Sequence, residues 1–136
     1  MLTNHPLNHI TSLIIKCAIE VHRNLGPGLL EAVYTTCLAF ELRTAGLRVA
    51  TDVIVPVRYK GLAFECGYRL DILVEDAVIV EVKSVRELAA VHPQQLLTYL
   101  KVTGCEVGLL INFNVPVLKA GVRRVLNTRP ADSAAS

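Results

Sequence analysis

Between Cys66 and Val85 the chain sets charged residues inside two apolar runs, and this constrains the fold more than any other feature. Residues 66–74 and 77–85 read as strands, with Glu75-Asp76 as the polar break of a hairpin. Strand side chains alternate between faces. Ile79, Glu81 and Lys83 therefore share one face, and Val78, Val80 and Val82 share the other. On the neighbouring strand Asp71 sits between Leu70 and Ile72. Buried charge is costly unless it is paired or binds a metal. Two readings follow. In the first, the Asp71 and Glu81 carboxylates hold Mg²⁺ or Mn²⁺ through oxygen. The metal then polarises a phosphoryl oxygen and acidifies a bound water, and Lys83 orients that water or offsets charge developing on the phosphate. In the second, Lys83 forms a structural ion pair with Asp71 or Glu81 at the end of a buried sheet.

The elements around this stretch follow from periodicity. Ile10, Leu13, Ile14, Cys17, Ala18, Val21 and Leu25 recur at three- and four-residue spacing and predict an amphipathic helix. Asn8 or Thr11 is its expected cap, and Gly26-Pro27-Gly28 its end. A second helix is predicted over 29–45, burying Leu30, Val33, Tyr34, Cys37, Leu38 and Leu42, with Gly46 as its stop. Valine-rich residues 48–59 predict one strand with Pro56 at an edge or bulge. Lys60-Gly61 is then the turn into the Asp71 strand, and three strands form an antiparallel meander. His92-Pro93 marks a third helix, with Pro93 at its first position. Gln95 and Tyr99 share a face of that helix. Residues 106–113 read as a strand covered on both faces, joined through a right-handed crossover to a parallel neighbour. A short last strand is predicted over 121–126, and 129–136 is expected to be a disordered tail.

Composition excludes some classes. At 136 residues the chain fits one domain, assigned to 1–128. No apolar run approaches the roughly 20 residues that a membrane span needs. Residues 1–8 lack the pattern of a secretory leader, so a cytoplasmic protein is expected. Cys17, Cys37, Cys66 and Cys105 are widely spaced among apolar neighbours, which predicts buried thiols rather than disulfides or a zinc site. The net charge of +2 is not the footprint of a dedicated nucleic-acid binder. Local charge can still serve one; Lys119, Arg123, Arg124 and Arg129 concentrate positive charge near the C-terminus, and read first as a solvated basic end.

The order of motifs carries a resemblance. Asp71 followed by Glu81-Val82-Lys83 resembles the signature of the PD-(D/E)xK nuclease superfamily, with Leu70 where that signature usually has proline. Leu25-Gly26-Pro27-Gly28-Leu29-Leu30-Glu31-Ala32-Val33-Tyr34 resembles the motif of the GxxExxY protein family, which is assigned to that superfamily. Gln95-Leu96-Leu97-Thr98-Tyr99 resembles the QxxxY motif of some of its nucleases, and residues 109–113 also match the family pattern. The likeness runs from about Ile10 to Asn127. It implies a restriction-endonuclease-like α/β core, a central mixed sheet flanked by helices. It further implies Mg²⁺-dependent hydrolysis of phosphodiester bonds in DNA or RNA.

On this resemblance Asp71 and Glu81 are metal ligands, joined by the carbonyl of Val82. Glu31 supports the metal or a ligand water, Lys83 positions the nucleophilic water, and Gln95 and Tyr99 line the site. Tyr34 would pack over the site or donate its hydroxyl, and His22 would approach it. Without the resemblance, Glu31 reads as a helix-start charge, Gln95 as a solvated amide and Tyr99 as a half-buried ring. Two other classes of function stay open. One is a non-catalytic nucleic-acid or partner-binding module on the same fold. The other is a homo-oligomeric interaction protein, for which 52% apolar residues permit a dimer interface.

Overall fold

Apolar residues at helical spacing build α1 (Asn8–Leu25) in the computed structural model, which describes residues 5–128. Its stripe of Ile14, Cys17, Ala18 and Val21 is buried. Gly26 ends it at φ 70° and ψ −175°, a conformation essentially confined to glycine. Helix α2 (Glu31–Thr44) buries Tyr34, Leu38, Ala39 and Leu42. The strands follow as β1 (Val49–Ile54), β2 (Val57–Tyr59), β3 (Leu62–Phe64), β4 (Arg69–Val74) and β5 (Val78–Lys83). Helix α3 (Val91–Thr103) connects β5 to β6 (Val107–Asn112), and β7 (Val122–Leu126) completes the order.

Five strands form one mixed sheet in the order β1-β4-β5-β6-β7. Only β5 and β6 run parallel; the other neighbours are antiparallel. Helices α1 and α2 cover one face, meeting Ile72, Val74, Val78, Val80, Val82, Leu109 and Ile111. Helix α3 covers the other through Leu96, Tyr99 and Leu100, which meet Val55, Leu70, Ile79 and Leu110. This is the expected α/β architecture of a restriction-endonuclease-like core. Val78, Ile79, Val80 and Val82 of β5 are wholly buried, each contributing roughly 1.5–3 kcal/mol. Their sum exceeds the several kcal/mol that burying one carboxylate costs, so Glu81 is held in the core by its neighbours.

Register decides which residues share an end of the sheet. Val49 pairs with Val74, Val74 with Val78, and Val78 with Val107, which places these at one end. Ile54 pairs with Arg69, and Lys83 with Asn112, at the other. Asp71, Glu81 and Lys83 therefore lie toward the end where β1 finishes and β4 begins.

Several sequence expectations change. The strand predicted over 48–59 is broken after Ile54, because Pro56 has no N–H for the ladder. The Val55 N–H instead donates to the Tyr68 carbonyl at 2.9 Å. Lys60-Gly61 turns the chain into β3, not into the Asp71 strand, so a separate β2–β3 hairpin is inserted into the meander. The strand carrying Asp71 starts at Arg69 rather than Cys66, after Gly67 at φ 91°. The next strand runs over 78–83 rather than 77–85. Its turn is the expected Glu75-Asp76, with φ of 55° and 52°, as a type I′ hairpin requires. Neither Asn8 nor Thr11 caps α1: its cap is Leu7, with no side-chain cap bond, and the Thr11 hydroxyl donates to the Asn8 carbonyl. Pro93 is the third residue of α3 rather than the first, where its missing N–H still costs no helical bond. All four cysteines are free, but only Cys17 is buried and Cys66 is exposed. The tail predicted over 129–136 lies outside the described residues, and Arg129 with it.

Candidate active site

The β4–β5 ladder pairs Val74 with Val78, Leu73 with Ile79 and Ile72 with Val80, then stops. The next facing residues are Asp71 and Glu81. Here side chains replace the ladder. The Val82 N–H donates to Asp71 Oδ2 at 2.8 Å, and the Asp71 N–H donates to Glu81 Oε2 at 3.0 Å. The strands separate, and β4 changes phase: Leu70 packs on the α3 side while Ile72, two residues on, packs on the α1–α2 side. Opposite this break, Asp52 of β1 takes φ 53° between the pairs Thr51–Ile72 and Val53–Leu70. Each of the two site carboxylates spends one oxygen on backbone. Asp71 Oδ1 and Glu81 Oε1 have no hydrogen bond among the described residues.

The electrostatics are those of two acids short of a cation. Burial, then the neighbouring Asp71 carboxylate, pushes Glu81 from 4.5 up to about 8. Burial also raises Asp71, against the pull of the Val82 N–H and the Lys83 ammonium. Lys83 is half-buried and lowers both acids, yet among the described residues it makes no contact ion pair. The structural pair of Lys83 with Asp71 or Glu81 is thus not formed. Among the described residues no three His, Cys, Asp or Glu side chains cluster as a metal cage. The oxygens that would hold a cation here are the free one on each of the Asp71 and Glu81 carboxylates, with the Val82 carbonyl beside them. Val82's N–H is taken by Asp71 and its side chain is in the core, so the carbonyl is its remaining polar atom. Hard oxygen donors, one of them an acid that keeps its proton because burial and Asp71 disfavour its charge, fit Mg²⁺ or Mn²⁺, which would replace that proton.

Glu31 opens α2 and reaches across to β5. Its Oε2 accepts from the Ser84 N–H at 3.3 Å, while the Ser84 hydroxyl donates to the Leu29 carbonyl at 2.5 Å. These bonds bolt the start of α2 to the residue after Lys83. Glu31 is exposed, and its charge raises both Asp71 and Glu81. With Thr35, Thr36, Arg43, Asp52 and Asp71 it lines a cleft of about 340 Å³.

Two residues named with the upstream motif are placed elsewhere. The Tyr34 hydroxyl donates to the Gly26 carbonyl at 2.5 Å and accepts from the Leu29 N–H at 3.1 Å. Its ring stacks on Phe113 at 4.5 Å, so it pins the glycine loop rather than touching the acids. His22 Nε2 bonds the Val115 carbonyl at 2.8 Å, for the same reason: both lie over the β6 end of the core. Tyr99 is 4% exposed; its hydroxyl accepts from the Arg69 backbone N–H and from Gln95 Nε2, the latter at 3.3 Å. Burial and the nearby Glu81 charge raise it. Gln95 is exposed, and its amide N–H supports Tyr99.

Asn112, within the 109–113 run that matches the family pattern, has a place beside the site that the sequence does not assign. It is buried at the end of β6, paired with Lys83. Its side chain clasps Val85, accepting from the N–H at 3.0 Å and donating to the carbonyl at 2.9 Å. An amide at the end of an apolar strand was the available signal. Gly121 packs against the same residue; a Cβ there would lie 2.1 Å from the Asn112 carbonyl oxygen.

No curated protein matches this chain. A solved structure described as "Crystal structure of SSO0001" superposes with a TM-score of 0.55 at 15% identity, covering 95% of this chain and 84% of that one. That likeness concerns the fold. A family model described as the PD-(D/E)XK nuclease superfamily matches residues 8–125. The match spans the helices, the broken ladder and the last strand, and the chain therefore belongs to the PD-(D/E)XK nuclease superfamily.

Proposed function

We propose that this protein hydrolyses phosphodiester bonds in DNA or RNA with Mg²⁺ or Mn²⁺ as cofactor. The observation that carries the reading is the broken ladder, where Asp71 and Glu81 grip each other's strands and each keeps an oxygen free. Asp71, Glu81 and the Val82 carbonyl are the proposed ligands. A bound divalent ion would polarise the phosphoryl oxygen and lower the pKa of a water. The chain's own residues do the rest. Lys83, held near both acids without contacting them, is free to set its ammonium against the attacking water and the phosphate. Glu31, through Ser84, and Asn112, through Val85, fix the backbone that aims Lys83. Tyr99 and Gln95 hold the start of β4 at Arg69. The likeness of residues 25–34 to the GxxExxY motif agrees with a role for Glu31 at the site.

The test is cleavage of end-labelled DNA and RNA oligonucleotides with Mg²⁺ or Mn²⁺, comparing wild type with Glu81→Gln. Metal-dependent cutting by wild type alone is expected. Equal cutting by both proteins would refute the assignment. The second reading, a binding module without catalysis, is favoured by the small donor set. Calorimetric titration with Mn²⁺ separates the two: a hydrolase must bind the ion at Asp71 and Glu81, and a binding module need not.

A further inference from the structure

The β2–β3 hairpin is not used by the site, and one of its faces is uncovered. Val57 pairs with Phe64, and Tyr59 with Leu62. Residues two apart on a strand and directly opposite across a pair share a face. Val57, Tyr59, Leu62 and Phe64 therefore stand together, with Arg58 and Ala63 on the reverse. Tyr59, Leu62 and Phe64 are 60%, 59% and 41% exposed, so this face has no core beneath it. An isolated two-stranded hairpin is marginally stable in water. One that displays two aromatic rings needs a reason for its composition.

Charge and position identify the occupant. The hairpin, residues 57–64, contains Arg58 and Lys60 and no acid, and Glu65 follows it. The Lys60 ammonium lies 5.4 Å from the Tyr59 ring centroid, which sets a cation beside an aromatic face. The hairpin also leaves the sheet at the end that carries the acids, since Ile54 and Arg69 are its bases. Phe64 and Asp71 are seven residues apart, at most about 25 Å along the chain. A second copy of the protein is a poor occupant, because a stable interface uses about 20–30 residues on each side and this face offers four side chains. Stacking needs only one ring per base.

We infer that the hairpin is a stacking platform for unpaired bases, with Tyr59 and Phe64 as the platform and Lys60, at the turn beside Tyr59, on a flanking phosphate. The substrate of the neighbouring acids is then a single-stranded or frayed nucleic acid. The choice of occupant rests on the hydrolase reading; the hairpin geometry does not.

Fluorescence anisotropy of a labelled oligothymidine in EDTA tests this without turnover. Tyr59→Leu keeps apolar bulk but removes the ring, and it is expected to weaken binding about 5- to 150-fold. Phe64→Leu is expected to do the same, and Tyr59→Phe to bind as wild type does. A blunt duplex should not distinguish the variants. Lys60→Gln should reduce the slope of log affinity against log salt by about 0.7. Unchanged oligothymidine binding by both leucine variants overturns the inference. So does self-association, seen by light scattering, that Tyr59→Leu abolishes, since the face would then belong to a second copy. If wild type never cuts with Mg²⁺ yet Tyr59→Leu loses single-strand binding, the hydrolase reading falls and the platform stands. If wild type cuts and Tyr59→Leu binds normally, only the platform falls.

Discussion

Replacing Glu81 by Gln should make the metal-free protein more stable at alkaline pH, the reverse of what removing a buried ion-pair partner does. Burial and Asp71 raise the Glu81 carboxyl from 4.5 to about 8 in the folded state. Below pH 4.5 the group is protonated both folded and unfolded, so its proton costs nothing. Between 4.5 and about 8 the folded state keeps a proton that the unfolded chain has lost. Stability therefore falls as pH rises through that window. At about 1.4 kcal/mol per pH unit, the interval from pH 5 to pH 8 amounts to roughly 3–4 kcal/mol. Glutamine is neutral throughout and still offers an oxygen to the Asp71 N–H that Glu81 now accepts. Urea unfolding followed by circular dichroism, at pH 5 and pH 8 in EDTA, reads the difference. Wild type should lose about 3–4 kcal/mol over that range and Glu81→Gln less than about 1. Groups that titrate in both proteins cancel in the comparison. Mg²⁺ at pH 8 should restore wild type by mass action and leave the variant unmoved. Parallel pH profiles for the two proteins would refute the electrostatic account of the site.

Lys83→Ala should lower cleavage on the order of 10²–10³-fold with Mn²⁺ and oligonucleotide affinity largely kept. Because Lys83 makes no contact ion pair among the described residues, the metal-free unfolding free energy from urea titration should stay within about 1 kcal/mol of wild type; a loss of roughly 3–5 kcal/mol would restore the ion-pair reading. Asn112→Ala removes both bonds to Val85 and should cost about 1–3 kcal/mol while lowering kcat more than it changes KM, measured by urea unfolding and steady-state cleavage. Tyr34→Phe loses the bonds to Gly26 and Leu29 and should cost roughly 1–3 kcal/mol with metal affinity unchanged. A fall in Mn²⁺ affinity by calorimetry would instead put Tyr34 in the site.

Period and punctuation were enough for much of the fold. The α1 stripe at three- and four-residue spacing and the uninterrupted apolar run of β6 specify burial directly, because both are local consequences of backbone geometry. The adjacency of Asp71 and Glu81 was legible for the same reason: a tight turn at Glu75-Asp76 leaves the two strands one register. What the linear order could not show was the break in that register. Strand alternation predicts that Asp71 simply faces a neighbour, whereas the acids bond the opposite backbone and reverse the phase of β4. The fates of Tyr34, His22 and Asn112 were also hidden. Each is fixed by a partner far along the chain: Phe113, Val115 and Val85 respectively. The inserted hairpin was missed because Leu62–Phe64 is too short to carry a period of its own. Sequence thus determined which residues are apolar, where the chain turns and that two acids meet a lysine. Tertiary structure decided what each polar atom bonds to, because hydrogen-bond partners are set by where distant strands and helices come to lie.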